Sequence, residues 1–208
     1  MGIALTKKIG TEGILSLWQI TETASELTEG LIAAEQEELA TKKPFSEKRR
    51  KEWLATRQLL AHMMPVPEKI CYQSNGKPYL LSGEYHVSIS HSANYAALYL
   101  SKTRQTGVDI QQMRSSVIKG ADFFMTEQEM IWAENGDVVV QNLIWSAKES
   151  VFKFFGDDSL NLKKDIKISR FVPEQFGKMQ AYVFIREAQT AVSIGYEIIG
   201  DYVLTWTI

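Results

Sequence analysis

Apolar residues recur along this chain with two periods, and the period each stretch keeps predicts its element. Gly13 to Ile20 is apolar at Ile14, Leu15, Leu17, Trp18 and Ile20 and predicts a first strand. Thr21 to Ala40 spaces Leu27, Leu31, Ile32 and Leu39 at helical intervals and predicts one helix. Glu47 to Met63 predicts a long helix with Ser46 as its N-cap and Trp53, Leu54, Leu60 and Ala61 as its apolar face, ended by Pro65 and Pro67. Asn75-Gly76 is a turn signal, and Pro78 holds the backbone just after Lys77. His86 to Ser90 alternates, so His86, Ser88 and Ser90 share one face of a strand. Tyr95 to Leu100 is apolar throughout, as a central strand would be, and Ser90 to Asn94 reads as the polar turn between the two.

The second half repeats the alternation of strand, helices and strands. Thr106 to Gln111 predicts a strand with Val108 and Ile110 on one side and Asp109 and Gln111 on the other; an aspartate there is unusual, because strands disfavour it. Thr126 and Glu129 have the spacing of a capping box opening a short helix to about Ala133. Asn135-Gly136-Asp137 breaks it, and a further helix runs from Val138 or Val139 to about Gly156. Four strands follow over 165–172, 178–186, 190–198 and 202–208, punctuated by Gly177, Gly195 and Gly200. Strand–helix–helix–strands thus occurs twice, which predicts an α+β fold of two similar halves, 1–103 and 104–208.

One helix carries charges where its pattern calls for core. Between Ile144 and Gly156, Ile144, Trp145, Ala147, Val151, Phe152, Phe154 and Phe155 form a broad apolar face, with Ser146 and Ser150 opposite. Lys148 projects from the middle of the apolar face, and Glu149 and Lys153, four residues apart, lie along its flank. Two readings fit. Either Lys148 snorkels to solvent beside a surface Glu149–Lys153 pair, or the three charges line a site.

Composition narrows the setting. With 208 residues, 45% of them hydrophobic, the chain can bury a real core, and its formal net charge of −2 argues against a general nucleic-acid binder. Charge is unevenly spread: Thr21 to Ala40 holds six glutamates and no lysine or arginine, whereas Lys42 to Arg57 holds seven basic residues against two acidic ones. That basic run reads as a solvated helix face or as a phosphate-binding surface. A single cysteine, Cys71, excludes an internal disulfide and any thiolate cluster. No apolar run reaches membrane-spanning length and the first residues lack the order of a signal peptide, so a cytoplasmic protein is expected. His91, between Ser90 and Ser92, reads as a structural histidine or as part of a polar pocket.

Three segments in order carry a resemblance: Gly76-Lys77-Pro78 leading to Val87-Ser88-Ile89-Ser90-His91-Ser92, then Gly107-Val108-Asp109-Ile110, then Trp145-Ser146-Ala147-Lys148-Glu149-Ser150-Val151-Phe152-Lys153. Together they resemble the Sfp-type 4′-phosphopantetheinyl transferases. The resemblance implies two α+β halves related by a pseudo-two-fold axis, with coenzyme A in the cleft between them, and transfer of its phosphopantetheine arm to a serine of an apo acyl or peptidyl carrier protein, releasing adenosine 3′,5′-bisphosphate. It implies Mg²⁺ held by Asp109 and Glu149 with the pyrophosphate, Lys153 on the phosphate under attack, and Lys148 beside the site as a further cofactor-binding residue. His91 and Arg49 are implied to bind the 3′-phosphate, and Lys77 and Ser90 to hold the adenine nucleotide; Lys42 and Lys43 are further candidates. Glu149 is the candidate proton acceptor and, with Lys153, the catalytic pair.

One position departs from the bacterial pattern. Where that pattern has a glutamate completing the metal site, this chain has Gln111, which offers only a neutral oxygen and is expected to join the metal site as a weak ligand or through water. The alternative reading is accordingly a non-catalytic module that binds coenzyme A or a carrier protein. A monomer is expected, because two fused halves complete the implied cleft without a neighbour.

Overall fold

The computed structural model describes residues 2–41, 46–133, 137–186 and 188–208. The chain is α+β and divides into two compact units, Met1–Arg104 and Gln105–Ile208. No helix among the described residues is long and apolar enough to cross a membrane.

The first unit runs β1 (Ile3–Ile9), β2 (Gly13–Gln19), α1 (Ala24–Thr28), α2 (Ala33–Thr41), α3 (Glu47–Met63), β3 (Ile70–Tyr72), β4 (Pro78–Leu80), β5 (His86–Ser92) and β6 (Tyr95–Ser101). Four strands make an antiparallel sheet in the order β1-β2-β6-β5, and β3 and β4 form a separate hairpin. Helix α3 begins where expected: the Ser46 side chain accepts from the Arg49 N–H at 3.3 Å. Its apolar residues Leu54, Leu59 and Leu60 pack with Trp18, Leu27, Leu80, Val87 and Leu98 into one core, each buried leucine contributing about 1.5–3 kcal/mol.

Three expectations change here. The stretch 21–40 is two helices rather than one, because Gly30 takes a positive φ of 129° between them, a conformation that a helix interior does not accept. A strand precedes the first one that the pattern predicts, Ile3–Ile9; its Thr6, Lys7 and Lys8 blunt an edge strand and hide its pattern. Ser90, His91 and Ser92 belong to β5, not to the turn, which is made by Ala93 (φ 48°) and Asn94. The lysines at 42 and 43 lie outside the described residues.

The second unit runs β7 (Val108–Gln112), α4 (Ser115–Lys119), α5 (Ala121–Phe124), α6 (Glu127–Trp132), α7 (Val138–Phe155), β8 (Ile166–Ile168), β9 (Phe176–Ile185), β10 (Ala188–Ile199) and β11 (Tyr202–Thr207). Its antiparallel sheet has the order β7-β11-β10-β9-β8. Helix α7 starts at Asp137, whose carboxylate accepts from the N–H groups of Val139 and Val140, and stops at Gly156 in the left-handed region. Leu143, Ile144, Ala147 and Val151 join Ile166, Met179, Ala181, Ile194 and Val203 in the core. The first of the four expected strands shrinks to Ile166–Ile168, and the break expected at Asn135-Gly136 lies outside the described residues.

Candidate functional site

In the second unit, β7 and α7 are brought unusually close, and that approach sets the site. A Cβ on Gly107 would lie 2.0 Å from the Ser150 carbonyl oxygen and 2.9 Å from the Phe154 Cβ, so only glycine lets the strand enter against this helix. Two residues later, Asp109 is opposite Thr205 of β11 in the strand register and only 6% exposed. Its Oδ2 accepts from the Ser146 hydroxyl at 2.9 Å, and its Oδ1 accepts from the Lys153 ammonium at 2.7 Å. Ser146 and Ser150, expected on the outer side of the helix, are instead buried against β11. There the Ser150 hydroxyl lies 2.6 Å from the Thr205 hydroxyl, which donates to the Ser146 carbonyl oxygen at 2.8 Å. These small hydroxyl residues let α7 lie down on the sheet while satisfying the polar groups it buries.

Lys153 therefore does not make the surface pair with Glu149 that its spacing allows. Its ammonium is fixed by Asp109 and, at 3.2 Å, by the Val108 carbonyl oxygen. An ammonium has three donors, so one is left to point elsewhere. Glu149 is half-buried and takes no hydrogen bond from any described residue. Burial pushes its carboxyl above the usual carboxylate range, the nearby Asp109 charge pushes it the same way, and Lys153 pulls it back. Asp109, Glu149 and Lys153 thus form one electrostatic cluster: two carboxylates and one ammonium.

Lys148 does not join it, contrary to the sequence expectation of a cofactor-binding residue. Its side chain is fully enclosed and its ammonium donates to Glu129 Oε2 at 2.8 Å, Phe124 O at 2.7 Å and Leu162 O at 3.1 Å. All three donors are used within the fold, so none remains for a ligand. Desolvation pulls the Lys148 pKa down, and Glu129 opposes the shift. Glu129 closes its capping box through Thr126 and also accepts from the Ile168 N–H at 2.8 Å. The snorkelling alternative also fails, since Lys148 has no exposed end.

Gln111 shares the Asp109 side of β7 by alternation, and its amide donates to the Gln112 carbonyl oxygen at 2.7 Å. Among the described residues no group of three or more His, Cys, Asp or Glu side chains could hold a metal ion. Two carboxylates are nevertheless the protein share that a magnesium ion needs when substrate oxygens and water complete its shell. A carboxylate at Glu149 that takes no hydrogen bond from any described residue, its pKa raised by burial and then by the neighbouring Asp109, fits that requirement.

A second cluster lies in the first unit. Arg49 donates from Nη1 to His91 Nε2 at 2.8 Å, and both residues border a cavity of about 170 Å³ with Trp53, Arg57, Tyr72 and Pro78. The Arg57 guanidinium, counted in sequence only as part of a basic run, is 3% exposed, stacks 3.9 Å over the Trp53 ring, and lies 3.9 Å from Glu35. Lys77 sits in the β3–β4 turn between Gly76 and Pro78, which both line this cavity, and burial lowers its pKa. Ser90 is not brought there: alternation turns it to the face opposite His91 and Ile89.

Residues 105–207 match the family model for the 4′-phosphopantetheinyl transferase superfamily. Over 110 residues the chain is 33% identical to the 4′-phosphopantetheinyl transferase gsp of Aneurinibacillus migulanus, a stretch covering 50% of this chain and 46% of that relative. Over 113 residues it is 34% identical to the 4′-phosphopantetheinyl transferase AcpT of Escherichia coli, covering 50% and 57%. The matched stretch spans about half the length of these curated relatives.

Proposed function

Residues 105–207 belong to the 4′-phosphopantetheinyl transferase superfamily, and from that premise we propose that the protein transfers the 4′-phosphopantetheine arm of coenzyme A to a serine of an apo carrier protein, leaving adenosine 3′,5′-bisphosphate. The observation that carries this reading is the Asp109–Glu149–Lys153 cluster, two carboxylates beside an ammonium, a set of groups suited to a cation and a phosphate.

In this reading the serine hydroxyl attacks the phosphorus that bears the pantetheine arm, and the bond from that phosphorus to the bridging oxygen breaks. The electron pair leaves with the nucleotide. Lys153 already gives two hydrogens to Asp109 and Val108 and directs its third at an oxygen of the phosphate under attack, stabilising charge that grows there. Glu149 takes the serine proton; its raised pKa makes it a better base than an exposed carboxylate. Asp109 and Glu149 would hold Mg²⁺, with Gln111 offering a neutral oxygen from the same strand face. When bound, the ion neutralises pyrophosphate charge and so lowers the cost of the developing negative charge. Asp109 also orients Lys153, and Ser146 orients Asp109.

In the first unit, Arg49 and His91 would bind the 3′-phosphate and Lys77 the adenine nucleotide, by cation–phosphate hydrogen bonds of the charge-assisted kind. The proposal that the two units are related halves rests on their shared chain path. In each, a strand leads through short helices into a long helix, and the last strand returns beside the first of that path: β6 beside β2, and β11 beside β7.

The test is direct. The protein is incubated with coenzyme A, Mg²⁺ and apo carriers from fatty-acid, polyketide and nonribosomal-peptide synthesis, and each carrier is weighed intact. A mass gain of one phosphopantetheine on a carrier serine is expected. Unmodified carriers in every case, with coenzyme A bound, would overturn the transferase and leave a binding module.

A further inference from the structure

Glu52 is placed as the hub of the cationic cluster in the first unit. It is 5% exposed on the second turn of α3, and its carboxylate lies 3.4 Å from Arg49 Nη1, 3.4 Å from His91 Nδ1 and 3.8 Å from Lys48 Nζ. The cations around it are more open: 57% for the Arg49 side chain, 64% for Lys48 and 29% for His91. A sealed carboxylate thus lies beneath a cationic surface that borders the cavity.

The hydrogen positions follow from chemistry. A guanidinium only donates, so His91 Nε2, 2.8 Å from Arg49 Nη1, accepts. The imidazole proton is then on Nδ1, the nitrogen that faces Glu52. An arriving phosphate monoester competes for the Arg49 N–H groups. If it takes them, Nε2 loses the Arg49 N–H and faces a phosphate oxygen, where a bare lone pair repels and an N–H attracts. A proton on Nε2 resolves the conflict, and Glu52 then faces the positive ring from its other nitrogen.

We propose that Glu52 is a positioning residue that couples phosphate-monoester binding by Arg49 and His91 to uptake of one proton from solvent at His91 Nε2. The inference rests on the reading of this cluster as the 3′-phosphate site of coenzyme A. The charged or titratable groups near His91 include Arg49 and Glu52, which contact the ring, and Arg57 on α3 and Tyr72 on β3, which line the same cavity; Lys48 pairs with Glu52, and on β6 the partner of His91 is Ala96. Glu52 is the carboxylate among them that contacts the ring.

Calorimetric titration in two buffers of different ionisation heat measures the proton uptake, with coenzyme A and 3′-dephospho-coenzyme A as paired ligands. At about pH 8, above the ordinary histidine range, the wild type takes up a substantial fraction of a proton with coenzyme A and none with the dephospho form. In Glu52→Gln the uptake shrinks and the preference for coenzyme A over the dephospho form falls about tenfold, the loss of one charge-assisted contact. Unchanged uptake and unchanged preference in Glu52→Gln overturn the role of Glu52. Equal binding of both ligands by the wild type, without proton uptake, overturns instead the assignment of the cluster to the 3′-phosphate. If Glu52→Gln does not fold, long-range proton–nitrogen NMR of the wild type decides: His91 passes from the Nδ1–H tautomer to imidazolium when coenzyme A binds, and one neutral tautomer in both states overturns the proposal.

Discussion

The Lys148 ammonium and the Glu129 carboxylate meet at 2.8 Å with both side chains closed to solvent, tying α7 to the start of α6. Glu129 simultaneously caps α6 and receives the Ile168 N–H of β8. One carboxylate therefore joins α6 and β8 to the helix that carries Glu149 and Lys153. Removing one partner strands the other as a buried charge, which costs far more than the pair itself contributes. Lys148→Met is expected to lower the unfolding free energy by about 3–5 kcal/mol, read from urea denaturation at unchanged slope. A loss within the range of surface substitutions would contradict this.

Glu149 carries the opposite expectation. Burial and Asp109 raise its folded pKa above the unfolded value, so the native state binds more protons in the window between the two. This contribution is full below the unfolded pKa and is lost as pH rises through the raised folded pKa. Glu149→Gln removes the penalty, so the ligand-free variant is expected to melt above the wild type at neutral pH, with a flatter pH dependence just above the ordinary carboxylate range. Thermal melts of both proteins across mildly acidic to neutral pH check the sign. A lower melting temperature for the variant at neutral pH would show that Glu149 has a stabilising partner.

Gln111 tests the metal shell by addition. Gln111→Glu supplies a third carboxylate on the Asp109 side of β7, so the Mg²⁺ concentration for half-maximal transfer is expected to fall. A magnesium titration of transfer rate measures it, and an unchanged midpoint would show that position 111 makes no metal contact.

Gly107 should accept nothing larger. The added methyl of Gly107→Ala would overlap the Ser150 carbonyl, so strand or helix must shift, at a cost of about 1–3 kcal/mol or more. Because Asp109 follows two residues later, transfer should drop together with stability. Wild-type melting and activity in this variant would mean that β7 and α7 approach less closely.

The sequence was most legible where local rules act alone. Ser46 and Met63 bound α3, Thr126 and Glu129 form their capping box, and Gly156 ends α7, because caps and breakers work within a few residues. Lys148 on an apolar helix face was visible as an anomaly, but its partner was not: Glu129 already had a sufficient local role as a cap, and nothing local says that its carboxylate also reaches Lys148. A single apolar stripe puts Ser146 and Ser150 on the outer side, whereas α7 is covered on more than one side. Asp109 was flagged by its type within a strand, yet its bond to Lys153 depends on the approach permitted by Gly107, a tertiary fact. Glu52 left a faint signal, three residues after Arg49 and so on the same helix face.

In the proposed function Glu149 and its neighbours carry out a phosphoryl transfer, and the nucleotide released per modified carrier measures it. With wild-type protein, coenzyme A and Mg²⁺, adenosine 3′,5′-bisphosphate should appear mole for mole with phosphopantetheinylated carrier, while Glu149→Gln binds coenzyme A and forms neither product. Turnover by Glu149→Gln at the wild-type rate, or nucleotide release from wild type without carrier modification, would contradict the account.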